Sequence, residues 1–171
     1  MSKEIRIYVA DLASYNNGKL HGVWVDATQD LEGIKRAVQN MLKDSPEEWA
    51  EEYAIHDYEG FEGVSLNEYE RLESAHKLAV FIEEHGALGA EVLSYWCNDI
   101  EDAEKALEEG YSGQYESLAD YAQELTESTS DVPKHLELYI DYEKMGRDME
   151  FCGDIYTIEI GHQEVHVFWS H

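Results

Sequence analysis

Along "EIRIYVADL" and "LHGVWVDA", β-branched and aromatic residues alternate with polar ones, the period-two pattern of half-buried strands. The connecting "ASYNNGK" contains an Asn-Gly turn signal, so the chain is expected to open as a hairpin. The period then lengthens: in "DLEGIKRAVQNML", Leu31, Ile34, Val38, Met41 and Leu42 recur at helical spacing. Ser45-Pro46-Glu47-Glu48 combines an N-cap serine, a proline at the first helical position and a glutamate at the third, which predicts a short helix through Trp49. "EYAIHDY" returns to alternation as a third strand. Residues 1–63 are therefore expected to form a small α+β domain.

Ser65-Leu66-Asn67-Glu68 has the form of a capping box, and Leu66, Tyr69, Leu72, Ala75, Ala79 and Ile82 continue it as an amphipathic helix ending near His85-Gly86. Two further helices are expected, Ala87 to Trp96 and Asp99 to Glu109, the second capped by Asn98 and stopped at Gly110. Residues 64–110 thus read as a helical domain. "YSGQY" reads as a loop, and Ser117 as the cap of a helix with Leu118, Tyr121, Ala122 and Leu125 on one face. After the polar "TESTSDVP", the run "KHLELYIDYEKMGRDMEF" is expected to be one helix, and "DIYTIEI", "GHQE" and "VHVFW" a closing hairpin. Residues 111–171 make a third domain, again α+β. The fold class expected is α+β, in three small domains each with a modest core.

Charge changes the picture. Twelve Lys and Arg stand against 38 Asp and Glu, a net −26 on 171 residues, and no basic stripe exists to hold a phosphate backbone. Direct nucleic-acid binding is not expected. The 43% apolar content, with twelve Tyr and four Trp, supplies enough packing material for a folded chain. Tyr111, Tyr115, Trp96 and Tyr121 are expected either to mediate dimer contacts or, for most of them, to fill small cores. There is neither a leader-like amino terminus nor an apolar run long enough to span a bilayer, so a cytoplasmic protein without a membrane segment is expected. Cys97 and Cys152 stand outside any CxxC pattern and read as reduced core thiols.

The acid is concentrated on particular helix faces. On a wheel of Asp99 to Glu109, Ile100, Ala103, Ala106 and Leu107 share one side while Glu101, Glu104 and Glu108 line the other, flanked by Asp102 and Glu109. Like charges at i,i+3 and i,i+4 repel by roughly 0.2–0.5 kcal/mol each, and Glu108 and Glu109 also face the negative end of the helix dipole. Local stability does not select this arrangement. Glu116, Asp120, Glu124 and Glu127 repeat it on the next segment, and between Lys77 and Lys134 fourteen Asp and Glu face a single cation, Lys105. These nine carboxylates form the candidate partner-binding surface.

Three roles suit such a field. Duplex DNA carries one charge per ~1.7 Å of axis, so 26 net charges correspond to ~44 Å of duplex and suit a DNA imitation. Divalent-cation buffering is a second role, weak and diffuse because no EF-hand loop is present. Adaptation to high salt is a third.

Enzyme chemistry finds little support. "GHQEVH" is H-x-E-x-H, not H-E-x-x-H, and on a strand His162 and His166 lie ~13 Å apart, too far to share one metal. His56 beside Asp57 lacks a recognisable nucleophile and reads as a packed or hydrogen-bonded strand histidine. No P-loop or dinucleotide glycine pattern occurs, so no enzyme activity, metal or cofactor is expected.

"IYVADLASYNNGKLHGVWVDA", "EYAIHDYEGF", "YSGQYESLADYA" and "YIDYEKMGRDMEFCGDIYTIE" followed by "VHVFWSH" resemble the ArdA antirestriction proteins carried by conjugative plasmids and transposons. The resemblance touches both ends and the centre of the chain. It implies an elongated homodimer of three small domains per chain, whose carboxylates stand in for phosphates. It also implies a partner, the DNA-binding groove of type I restriction-modification enzymes on their methyltransferase core, and protection of incoming DNA. The family offers no catalytic residues to carry over.

Overall fold

The computed structural model describes residues 4–67 and 69–170 and divides the chain into two compact units, Met1–Ile100 and Glu101–His171. Both are mixed α+β, each built on one three-stranded sheet.

In the first unit, β1 (Arg6–Asp11) lies between β2 (Gly22–Asp26) and β3 (Tyr53–Glu59), antiparallel to both. Alternation works as expected: Ile7 and Val9 are fully buried on one face, while Tyr8 packs against Trp24 on the other at 5.4 Å between ring centroids. Arg6 lies over the Trp24 ring and pairs with Glu59 across the sheet. The hairpin exists, but its connection is a helix, α1 (Leu12–Asn16), capped by Asp11, before the turn at Asn17 and Gly18. The register shifts between Tyr8 and Val9, leaving His56 as the extra residue of a β-bulge. His56 is exposed, and its ring packs edge-on against Tyr15 at 4.7 Å.

Helix α2 (Leu31–Lys43) packs on β1 and β2 and buries Ile34, Val38, Met41 and Leu42. The short helix after Ser45 does not form. Ser45 Oγ does accept from Glu47 N at 3.1 Å, but it also donates to the buried Asp11 carboxylate, and Trp49 turns to φ +67 with 87% of its surface exposed. No buried face exists there to propagate a helix.

The next helical run, α3 (Leu72–Tyr95), is broken at Gly86, whose φ of +67 and ψ of −152 leave the helical region. Two helices thus meet where the sequence placed a stop. The first begins at Leu72, six residues later than the Ser65 pattern implied. Tyr69 is 85% exposed and Leu66 only half-buried, and it is Glu70 whose carboxylate accepts from Asn67 N. Glu68, the last residue of the expected box, lies outside the described residues. His76 Nδ1 meets the Ala27 carbonyl at 2.8 Å, tying α3 to the end of β2. Cys97 at φ +55 ends α3, and Asn98 N donates back to Leu93 O at 2.7 Å. Asn98 therefore closes this helix instead of capping the next, and its side chain donates to Ser65 O.

In the second unit, β6 (Glu164–Trp169) is central, between β4 (Tyr111–Tyr115) and β5 (Ile155–Gly161), all antiparallel. The "YSGQY" stretch is thus a strand, not a loop; Gly113, at φ +133, follows a bulge at Ser112. Helix α4 (Ile100–Lys105) runs into a π-turn (Ala106–Gly110), where one uniform α-helix was expected. Helix α5 (Leu118–Thr129) starts at Ser117, whose hydroxyl accepts from Asp120 N.

The expected long helix after Pro133 splits into a 3-10 segment (Lys134–Tyr139) and α6 (Tyr142–Phe151). Asp141 divides them by accepting from Lys144 N, and none of the residues of the 3-10 segment is buried, so nothing holds them in a longer helix. Gly146 lets α6 approach α5: a Cβ there would lie 2.8 Å from Leu118 Cγ. Tyr121, Ile155, Val165 and Val167 form the core on one sheet face, while Tyr156 stacks on Phe168 on the other. Cys97 and Cys152 are both exposed, not core thiols.

Candidate acidic surface

Small apolar residues anchor the acid-bearing segments. Ala103 and Ala106 are buried, which turns Glu101, Asp102 and Glu104 of α4 and Glu108 and Glu109 of the π-turn outward. Tyr121 and Ala122 do the same for α5, leaving Asp120, Glu124 and Glu127 exposed, and Glu116 is exposed in the bend before Ser117. All nine sequence-chosen carboxylates are therefore solvent-facing, and all belong to the second unit. Among the described residues, Glu101, Glu104, Glu108, Glu109, Glu116, Asp120, Glu124 and Glu127 make no ion pair with Lys or Arg. Glu127 accepts only from the neutral Gln123 amide, at 3.0 Å.

Glu109 and Glu124 come from different segments but line one cavity of 370 Å³. Its wall includes Tyr111, Ser112, Tyr115, Tyr121 and Trp169, of which only the tyrosines were considered from sequence, and then as core filler. The bulge at Ser112 puts Tyr111 on the Phe168 and His166 side and Tyr115 on the Tyr121 side, so no simple alternation in the sequence announced this wall. Burial pushes the Tyr115 phenol up to about 12, and the neighbouring Glu124 adds to the effect. Burial also raises the Tyr121 phenol; the nearby Ser112 hydroxyl opposes this in part, although the two oxygens do not meet hydrogen-bond geometry.

His162 and His166 lie in different surroundings. His162 sits in the exposed β5–β6 turn, while His166 is buried, with Nδ1 at 2.7 Å from the Tyr111 hydroxyl and Nε2 at 3.1 Å from Glu164. Among the described residues, no group of three His, Cys, Asp or Glu is placed to hold a metal ion, and no helix is long and apolar enough to cross a membrane.

The arrangement is that of an α+β protein with an exposed acidic surface on its second unit. The family model described as Antirestriction protein (ArdA) matches residues 7–164, and the chain belongs to that family of inhibitors. No curated protein matches the chain.

Proposed function

We propose that this protein protects incoming DNA, such as a conjugative plasmid or transposon, by acting in the cytoplasm as a DNA decoy for type I restriction-modification enzymes. The carboxylates from Glu101 to Glu127 stand where phosphates would, and engage the Lys and Arg of the methyltransferase core's DNA groove. The observation that carries this reading is the row of exposed carboxylates in the second unit, of which Glu101, Glu104, Glu108, Glu109, Glu116, Asp120, Glu124 and Glu127 have no Lys or Arg partner among the described residues, in a chain of an antirestriction family. A folded domain that leaves so much like charge uncompensated gains nothing in stability from it. Placed against a cationic channel, the same charge displaces counterions and excludes DNA while offering no bases to cut or methylate. The reading includes a homodimer of elongated chains, each in three domains, which lengthens the row of charge. It includes no direct contact with nucleic acid and no catalysis.

The test is competition. A fluorescent duplex bound to a type I methyltransferase core is titrated with the protein at low and moderate salt. Displacement that weakens as salt rises is expected; no displacement at low salt by the folded protein would overturn the decoy mechanism.

A further inference from the structure

We propose that the cavity rimmed by Glu109 and Glu124 is a socket for one arginine side chain of the bound partner, a fixed anchor within an otherwise diffuse acidic surface. This rests on the partner-binding reading above.

A cluster of acids alone defines no site; here the interior of the cavity supplies the specificity. Tyr121 is 3% exposed, and its hydroxyl has no hydrogen-bond partner among the described residues. Ser112 Oγ is buried and unpartnered in the same way, and both residues line the cavity. Buried hydroxyls of this kind cost free energy unless a donor reaches them. Ser112 occupies the bulge that shifts the β4–β6 register between Tyr111 and Gly113, so an irregularity of the strand delivers it there.

The chemistry of the walls selects the guest. Two carboxylates repel an anion. An apolar guest would strip water from those carboxylates and leave both hydroxyls unpaired. A guanidinium carries five N–H donors in a plane, enough to serve carboxylates at the rim and hydroxyls within. Its flat face stacks on aromatic rings, which Trp169 and Tyr115 provide. An ammonium has no such face and holds its water more strongly. The Tyr111 hydroxyl is engaged with His166, so that residue contributes its ring. Among the described residues no Lys or Arg lines the cavity, and its 370 Å³ admits the guanidinium and the end of its stem.

The test uses the full chain with ring-labelled tyrosine, observed by NMR at low salt, with N-acetyl-arginine amide and N-acetyl-lysine amide as probes. Saturable shifts of Tyr115 and Tyr121 with the arginine probe are expected, with binding about tenfold weaker for the lysine probe. Glu109→Gln with Glu124→Gln should weaken arginine binding about tenfold, whereas the equal charge change Glu101→Gln with Glu104→Gln should alter it less than about twofold. Tyr121→Phe removes an unpaired buried hydroxyl, so it keeps the fold and weakens binding severalfold.

Equal response to both probes, or equal loss in the two double variants, would overturn the socket. DNA displacement by the parent protein without saturable arginine binding also removes the socket but leaves the decoy standing. Saturable arginine binding without displacement does the reverse.

Discussion

The two units handle acid differently. Met1–Ile100 carries 20 Asp and Glu with eight Lys and Arg, a net −12; Glu101–His171 carries 18 with four, a net −14 on a shorter stretch. Every Lys or Arg ion pair among the described residues, such as Arg6–Glu59, Lys19–Glu47 and Lys77–Glu73, lies in the first unit. Among the described residues its one fully buried carboxylate, Asp11, is a structural hub that accepts from Ala13 N at 3.0 Å, from Ser14 Oγ at 2.7 Å and from Ser45 Oγ. Acid in the first unit is therefore partly absorbed into the fold. In the second unit it is presented to solvent, so overall charge is a poorer guide to function than the share of charge left unpaired.

The largest expected effect is on inhibition. Neutralising Glu101, Glu104, Glu108, Asp120 and Glu124 together removes contacts worth a few tenths of a kcal/mol each, about 2 kcal/mol in all, and should weaken inhibition about thirtyfold. Neutralising Glu4, Glu32, Glu47, Glu59 and Glu73 in the first unit should cost far less inhibition. Equal losses in the DNA-displacement assay would erase the distinction between the units.

Asp11 probes the opposite role. Asp11→Ala should destabilise the fold by about 2 kcal/mol, because it leaves the buried Ser14 hydroxyl only the half-buried Ser45 hydroxyl, 3.2 Å away, and removes the α1 cap. Inhibition by the protein that remains folded should not change, as denaturant melts beside the displacement assay will show. Burial pushes the Asp11 carboxyl up, but hydrogen bonds from Ser45, Ser14 and Ala13 outweigh it and hold the pKa below 3.8. The folded pKa is thus depressed, so its stabilisation is present above pH 3.8 and is lost as pH falls through the folded value.

Tyr115 is the alkaline counterpart in the second unit. With its pKa raised from 10.0 to about 12, it favours the fold below pH 10, and that contribution is lost as pH rises toward 12. Glu124→Gln should lower this phenol's pKa in an ultraviolet absorbance titration, while the other tyrosines serve as internal controls.

The smallest effect expected is that of Glu104→Gln alone. Removing one like-charge pair should stabilise the protein by about 0.2–0.5 kcal/mol and change inhibition less than twofold. A clear loss of stability would mean that Glu104 belongs to the fold after all.

Helices and strands with strong periodicity were legible from sequence: Ile34, Val38, Met41 and Leu42 of α2, the Ser117 cap, and the alternation of β1 and β6. The exposed placement of Glu101, Glu104, Asp120, Glu124 and Glu127 followed from the same periodicity, whereas Glu108 and Glu109 lie in the π-turn and Glu116 in a bend. What was not legible depended on tertiary partners. Ser45 has good capping chemistry but is drawn to Asp11, and Asn98 is used by the helix before it. Gly113 looks like a turn residue but sits in a strand because β6 pairs with it, and this hid the cavity wall. The meeting of Glu109 and Glu124 depends on that same sheet.

The π-turn at Ala106–Gly110 separates the amount of charge from its direction. A π-turn carries one residue more than the α-turn it replaces, so it acts as a phase adjuster between α4 and the strand that follows. Deleting Leu107 would restore ordinary helical gearing and swing Glu101 and Glu104 by about 100° relative to the sheet. Every carboxylate would remain and the net charge would not change, yet the α4 part of the array would point about a quarter-turn away from Glu116, Asp120, Glu124 and Glu127.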